Sequence, residues 1–359
     1  MCVVVLAAGE GTRMRSSRPK PLHHLCGRPM VQHVLDAADR EEVKATVVVV
    51  GHGATWVEKS LLGRASDARR LTFVEQSEQL GTGHAVAVAV PTLEEAIGAT
   101  DGDVLILPGD TPLLRASTVG ALLDAHRSSG AALTVLSARL GDPTGYGRII
   151  YGKDHKVARI VEERDATDEE RAVTEINTSI MVVRQSLLGP ALRLVGRQNA
   201  QNEYYLTDLV SVLYGSGHVT SAFLLEDPTE AAGVNDRSQL AAAEHELRRR
   251  INERWMREGV TMWDPAATYV DSDVVLARDV SLLPGTVLKG HCVLGEGTQV
   301  GPHAYLTDVV VGSNALIGTV EATNVRVGDD ARVGSFSVLD PGVVVRERDV
   351  VAPHQHVTL

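Results

Sequence analysis

The sequence predicts an α/β fold, a mainly parallel helix-covered sheet, followed by a short left-handed parallel β-helix. Two observations carry that reading. Up to about residue 234, short β-branched runs alternate with helical segments, as they do in a sheet with crossover helices. Beyond residue 270 aliphatic residues instead recur every six positions. One inward aliphatic per six residues describes a prism with three sides per coil.

The apolar runs predict strands at 2–7, 45–50, 72–75, 103–107 and 132–138, with helices near 30–40, 54–62, 82–90 and 117–128. Residues 236–259 read as one helix, because Leu240, Leu247, Ile251 and Trp255 recur near helical spacing. Asn235 or Asp236 can cap it and Gly259 can end it; Arg248–Arg250 then form a solvated face. The six-residue repeat runs through Leu276, Leu282, Leu288, Leu294, Val300 and Leu306, and again through Val327, Val333, Leu339 and Val345. Val311 and Ile317 join the two runs, and an irregular step after Ile317 predicts a loop or a phase slip. Small residues such as Gly295, Gly312 and Gly328 follow many of these positions, and about four coils fit. The expected division is a first domain at 1–234, a linker helix at 235–260 and the β-helix at 261–359.

The first strand runs into a loop, LAAGEGTRMRSSRPKPL, spanning Leu6 to Leu22. Gly9 and Gly11 permit a tight turn that aims N–H groups outward, a concavity suited to anionic oxygens. Arg13, Arg15, Arg18 and Lys20 add positive charge. Only six of the 35 cations are lysines, so Lys20 between Pro19 and Pro21 stands out. A triphosphate or pyrophosphate site is the simplest reading, and a strand-to-helix turn with surface arginines is the plain alternative. The loop is not a Walker A motif, which needs GxxxxGK and Ser or Thr, nor a GxGxxG fingerprint, since Met14 stands at the third glycine.

Composition narrows the partners. A net charge of −11 argues against a nucleic-acid surface, so the basic loop is a local pocket on an acidic protein. No apolar stretch reaches membrane-spanning length. Cys2–Ala8 lacks a basic flank, so no signal peptide is expected. Three widely spaced cysteines suggest a reduced, cytoplasmic protein.

Further along, Asp110 in LPGDTPLL ends a strand, where a carboxylate can hold Mg²⁺ or cap a turn. Gln76 in QSEQLGTGH can read a pyrimidine edge with its amide, or simply precede a helix. The glycine-rich DPTGYGR at 142–148 can approach a sugar or form a hairpin turn. Glu162 and Asn177 can bond sugar hydroxyls or be ordinary edge polar residues.

Together these segments closely resemble the bifunctional N-acetylglucosamine-1-phosphate uridylyltransferase/glucosamine-1-phosphate acetyltransferase family. LAAGEGTRMRSSRPKPLH, EQLGTGHA, PGDTPLL, DPTGYGRI, IVEERDAT, EINTS, NEYYLTDL and GVNDRSQL occur in that family's order across roughly residues 3–260. The resemblance implies a Rossmann-like nucleotidyltransferase domain acting on UTP and N-acetylglucosamine 1-phosphate. It implies that Leu6, Ala7, Ala8 and Gly9 line the nucleotide, with Arg13 and Lys20 on the phosphates. Gln76, Gly81 and Thr82 would recognise uracil, Asp110 and Asn235 would hold Mg²⁺, and Gly147, Glu162 and Asn177 would bind the sugar. A homotrimer through the β-helix is also expected.

The sequence departs from the family at three places. Pro108 replaces a tyrosine or small residue, and Ser179 stands where glycine is usual. These leave another sugar 1-phosphate or nucleotide as the alternative substrate. The His-Leu-Thr-Tyr-type and Asn-Tyr-Asp-Gly-type segments of the acetyltransferase site are not found, so acetyl transfer is not expected. His354 and His356 are no obvious replacement, being tail residues.

Overall fold

The computed structural model describes residues 1–40, 42–63, 71–97 and 102–359. The chain divides into two compact units, one of residues 1–23 and 29–240, the other of residues 24–28 and 241–359.

The first unit is built on one nine-stranded sheet. Its strands are β1 (Cys2–Ala7), β2 (Ala45–Val50), β3 (Leu71–Glu75), β4 (Asp103–Pro108), β5 (Leu133–Arg139), β6 (Arg148–Tyr151), β7 (Val157–Val161), β8 (Glu175–Arg184) and β9 (Thr220–Leu224). The order is β9-β5-β8-β4-β1-β2-β3, with β6 bridging β8 to β7. β1 lies at the centre, parallel to β4 and β2.

Strand alternation divides the apolar residues of β1 between two cores. Val3 and Val5 join Val31, Leu35, Leu61 and Leu122 on one face. Cys2 and Val4 join Val86, Leu93, Leu188 and Leu209 on the other. Helices Met30–Ala38, Ala54–Leu62 and Ala116–Ser129 supply the first set, and Thr82–Ile97, Gln185–Leu192 and Asp208–Gly215 the second. The Thr82–Ile97 helix continues past its predicted end, through Pro91, because Leu93 still finds a place in the core. Among the described residues no helix is long and apolar enough to cross a membrane.

The five predicted strands are all present, but the sheet also contains β6, β7, β8 and β9. β8 runs antiparallel between β4 and β5. Its alternation was masked by Asn-Thr-Ser at 177–179, where the register shifts and Ser179 adopts φ +64°. Glycine adopts this left-handed conformation most readily, and it is the residue that the family resemblance leads one to expect here.

The second unit is a parallel β-helix of the left-handed class that the six-residue period predicts. Three sheets of six, six and five short strands run from Thr261 to Val357. This exceeds the expected four coils. Met262 and Val270 already point inward ahead of Leu276, although the turn at Pro265–Ala267 breaks their period. Val351 and Val357 extend it at the other end. The irregular step is a phase slip: Ala322 fills the inward position between Ile317 and Val327. Coils accordingly shorten from eighteen residues (Ser281 to Gln299) to seventeen (Gln299 to Leu316) and sixteen (Leu316 to Arg332).

The helix Arg237–Arg257 adds Ile251 and Trp255 to this core. Asp236 accepts from Gln239 N–H at 2.8 Å, capping its start. Residues 24–28 belong to the same unit: Cys26 N–H donates to Glu244 Oε2 at 2.7 Å, and Arg28 pairs with Asp273.

The small residues of the repeat are fixed by contact between coils. A Cβ on Gly295 would lie 2.5 Å from Gly312 C and 2.7 Å from both Gly312 O and Ser313 N, all backbone atoms unable to yield. Gly295→Ala should therefore lower stability by about 1–3 kcal/mol, the usual cost of overpacking. Gly141→Ala, where a Cβ meets nothing within 4 Å, should change it by less than about 0.5 kcal/mol. Denaturant titration of the two variants checks the contrast.

Candidate active site

Four parallel strands end on one edge of the sheet, so the loops that follow β1, β2, β3 and β4 gather there. The loop after β1 is held by tight approaches. Gly11 has φ +63°, and a Cβ on it would fall 2.5 Å from Lys20 Cβ. A Cβ on Gly53, after β2, would fall 2.5 Å from Pro19 Cγ. The short turn Thr12–Met14 buries Met14 and leaves Arg13 exposed, with no side-chain ion pair among the described residues. Arg237 Nε donates to Met14 O at 3.2 Å and braces that turn.

Lys20 forms the centre of the site. Its ammonium donates to Asp110 and, at 2.8 Å, to Asn235 Oδ1. These residues lie 90 and 215 positions away in sequence. Asp110 follows β4, where Gly109 N–H donates to Leu6 O at 2.8 Å and ties that loop to the end of β1. Val234 N–H donates to Asp110 O at 2.9 Å, which brings Asn235 alongside. The Lys20 side chain is 13% exposed and that of Asp110 27%, so the pair sits in a partly dried cleft.

A second group is built around the start of the Thr82–Ile97 helix. Gln76 is buried, and its amide donates to Gly81 O at 3.0 Å and contacts His84 Nδ1 at 3.2 Å. Gly81 has φ +109°, and a Cβ there would sit 2.6 Å from Tyr204 O. Gln76 thus fixes the shape of the 77–81 loop. A Cβ on Gly51 would meet Ala8 O at 2.6 Å and Gln79 Nε2 at 2.8 Å, so this loop adjoins the end of β1.

The third group joins Gly147, Glu162 and Asn177. Asn177 N–H donates to Gly147 O at 2.8 Å. A Cβ on Gly147 would lie 3.3 Å from Glu162 Oε2. Glu162 accepts from Thr207 Oγ1 at 2.9 Å. Burial raises its pKa above the ordinary range, Thr207 opposes the shift, and the charges of Asp208 and Asp165 reinforce it. Beside it, the fully buried Arg148 pairs with Glu163 at 2.8 Å and donates to Tyr146 O. Glu163 also accepts from Gly145 N–H at 3.2 Å, and these donors hold its pKa low.

The segment 203–207 stitches the second group to the third. Gly83 N–H donates to Tyr204 O at 2.7 Å, Leu206 N–H to Thr82 Oγ1 at 3.0 Å, and Thr207 reaches Glu162. The sequence alone assigns the NEYYLTDL segment no role. In the sequence Arg148 is only the end of a glycine-rich stretch; an arginine at the start of an apolar strand is the signal that singles it out. Among the described residues no group of three His, Cys, Asp or Glu side chains is arranged to hold a metal.

Residues 3–201 match the family model described as the MobA-like NTP transferase domain. The bifunctional protein GlmU of Halalkalibacterium halodurans is 44% identical over 344 residues, 96% of this chain and 73% of that protein. The GlmU of Thermobifida fusca is 47% identical over 326 residues, covering 91% and 67%. That of Corynebacterium efficiens is 43% identical over 341 residues, covering 95% and 69%. With a glycine-rich loop, a lysine–aspartate–asparagine centre and this likeness along nearly its whole length, the chain is a nucleotidyltransferase belonging to the GlmU family.

Proposed function

We propose that the protein transfers a uridylyl group from UTP to N-acetylglucosamine 1-phosphate, giving UDP-N-acetylglucosamine and pyrophosphate. The convergence of Lys20, Asp110 and Asn235 at the end of β1 carries this reading. Leu6, Ala7, Ala8 and Gly9 line the nucleotide, and Gln76 holds Gly81 and Thr82 against the uracil. Gly147, Glu162 and Asn177 receive the sugar.

The chemistry follows from charge. A phosphate oxygen of the sugar 1-phosphate attacks the α-phosphorus in line, the bond to the β-phosphate oxygen breaks, and pyrophosphate departs with the electron pair. The nucleophile is already an anion, so no general base is required. Repulsion between two polyanions is the obstacle, and Lys20, Arg13 and the loop N–H groups oppose it by position and charge. Asp110 and Asn235 offer converging oxygens, and one carboxylate plus phosphates is the usual environment of Mg²⁺. That donor set fits Mg²⁺, which would neutralise phosphate charge when bound.

Three outward valines, Val275, Val293 and Val310, each 39–52% exposed, form a ladder on one side of the β-helix, and Arg326 separates them from Val344. This ladder favours side-by-side packing of copies in a homotrimer. Val293→Glu with Val310→Glu should leave a folded monomer by sedimentation; an unaltered trimer would remove this face from the interface.

Pyrophosphate release screened across nucleoside triphosphates and sugar 1-phosphates tests the substrate pair, which should give the highest kcat/KM. Lys20→Ala and Asp110→Ala should each lower turnover about a hundredfold or more, the scale of a lost preorganised charge. A rate near that of the intact protein in either variant would contradict the proposal. Because the pKa of Glu162 is raised, falling pH neutralises it earlier than an ordinary carboxylate. The KM for sugar 1-phosphate should therefore rise on acidification already above the usual carboxylate range. Glu162→Gln should lose that limb, while substrate titration stays common to both proteins.

A further inference from the structure

Lys20 bonds both of the side chains proposed above as metal ligands. We propose that its ammonium is an internal place-holder for the divalent cation. It occupies the point between Asp110 and Asn235 until a nucleotide triphosphate arrives with the metal, so free metal does not load the site by itself. This inference rests on the reading of Asp110 and Asn235 as ligands.

Three features support it. The stem of Lys20 is fixed, lying against Gly11 in the turn Lys20–Leu22 between two prolines, while its flexible end reaches the oxygens. The Lys20–Asp110 pair is neutral, and Asn235 satisfies a second ammonium proton. A divalent ion entering alone must therefore displace an ammonium that, among the described residues, pairs with no anion but Asp110. A triphosphate in the glycine loop supplies that anion, so the two cations can exchange with little net change of charge in the cleft. Lysine, a compact charge on a rotatable stem, suits such a move better than the planar fork of arginine.

Manganese binding followed by electron paramagnetic resonance tests the idea, using the intact chain, Lys20→Gln and Asp110→Asn. If the oxygens are free in a tenth of molecules or fewer, the apparent Kd for Mn²⁺ rises about tenfold or more. Without nucleotide, the intact protein should therefore bind Mn²⁺ at least about tenfold more weakly than Lys20→Gln. Adding a non-hydrolysable UTP analogue should close that gap. The sequence has six lysines, so the Lys20 Nζ resonance can be assigned by substitution. It should move when Mg²⁺ and the analogue are added together and stay still with Mg²⁺ alone.

Equal Mn²⁺ affinity in the intact protein and Lys20→Gln, or a shift of that resonance with Mg²⁺ alone, overturns the place-holder and leaves the ligands standing. Absence of Mn²⁺ binding in Lys20→Gln, with or without the analogue, and no effect of Asp110→Asn would overturn the ligand assignment and the place-holder with it. Thermal unfolding of each variant confirms that a folded protein was measured.

Discussion

The parallel register of β1 with β4 is the constraint on which the active site depends. Leu6 stands opposite Pro108, so both strands finish together and their loops leave the sheet at one edge. Gly109 has room only for hydrogen beside Leu6 O, since a Cβ would lie 2.9 Å away. That close approach fixes the start of the loop carrying Asp110. A shift of one residue would turn the apolar set of β1 from one core to the other and carry the loop away from Lys20. Packing of the sheet interior and geometry of the charged centre are thus one requirement.

Much of this was legible in the sequence, for a physical reason. β1, β2 and β4 are near-continuous apolar runs because parallel strands inside the sheet are covered on both faces, and such runs are easily seen. The six-residue repeat was clear because every coil imposes the same inward position. Both signals faded where structure departs from periodicity. β8 was missed because the Asn177–Ser179 bulge interrupts its alternation, and the strand pairs in the opposite sense from its neighbours. The six-residue repeat is traceable only from Leu276, because the Pro265–Ala267 turn separates Met262 from Val270 by more than one repeat.

The site divides in the same way. The glycine loop and Lys20 announce themselves within a few residues, whereas Asn235 joins Lys20 from 215 positions away. No spacing rule reaches that far, and family resemblance alone suggested the pair. Gln76 shows a different limit. Its type and position suggested direct reading of a base, yet its amide nitrogen is engaged by Gly81 O and His84. A side chain's chemistry can be read from sequence; which of its atoms remain available is decided by burial.

Charge is distributed to match. The protein carries a net −11, yet the loop after β1 concentrates Arg13, Arg15, Arg18 and Lys20. Near Gly147 and Asn177 two carboxylates, Glu162 and Asp208, are partly buried, which pushes their pKa values up. Burial there is tolerable because Thr207 donates to Glu162, and because the neighbouring Glu163 takes the charge of Arg148. In the proposed reading, a cationic arm receives phosphates and an acidic arm receives hydroxyls. Such an arrangement discriminates by chemistry as well as shape, since a phosphate entering the acidic arm would meet repulsion that a neutral hexosamine does not.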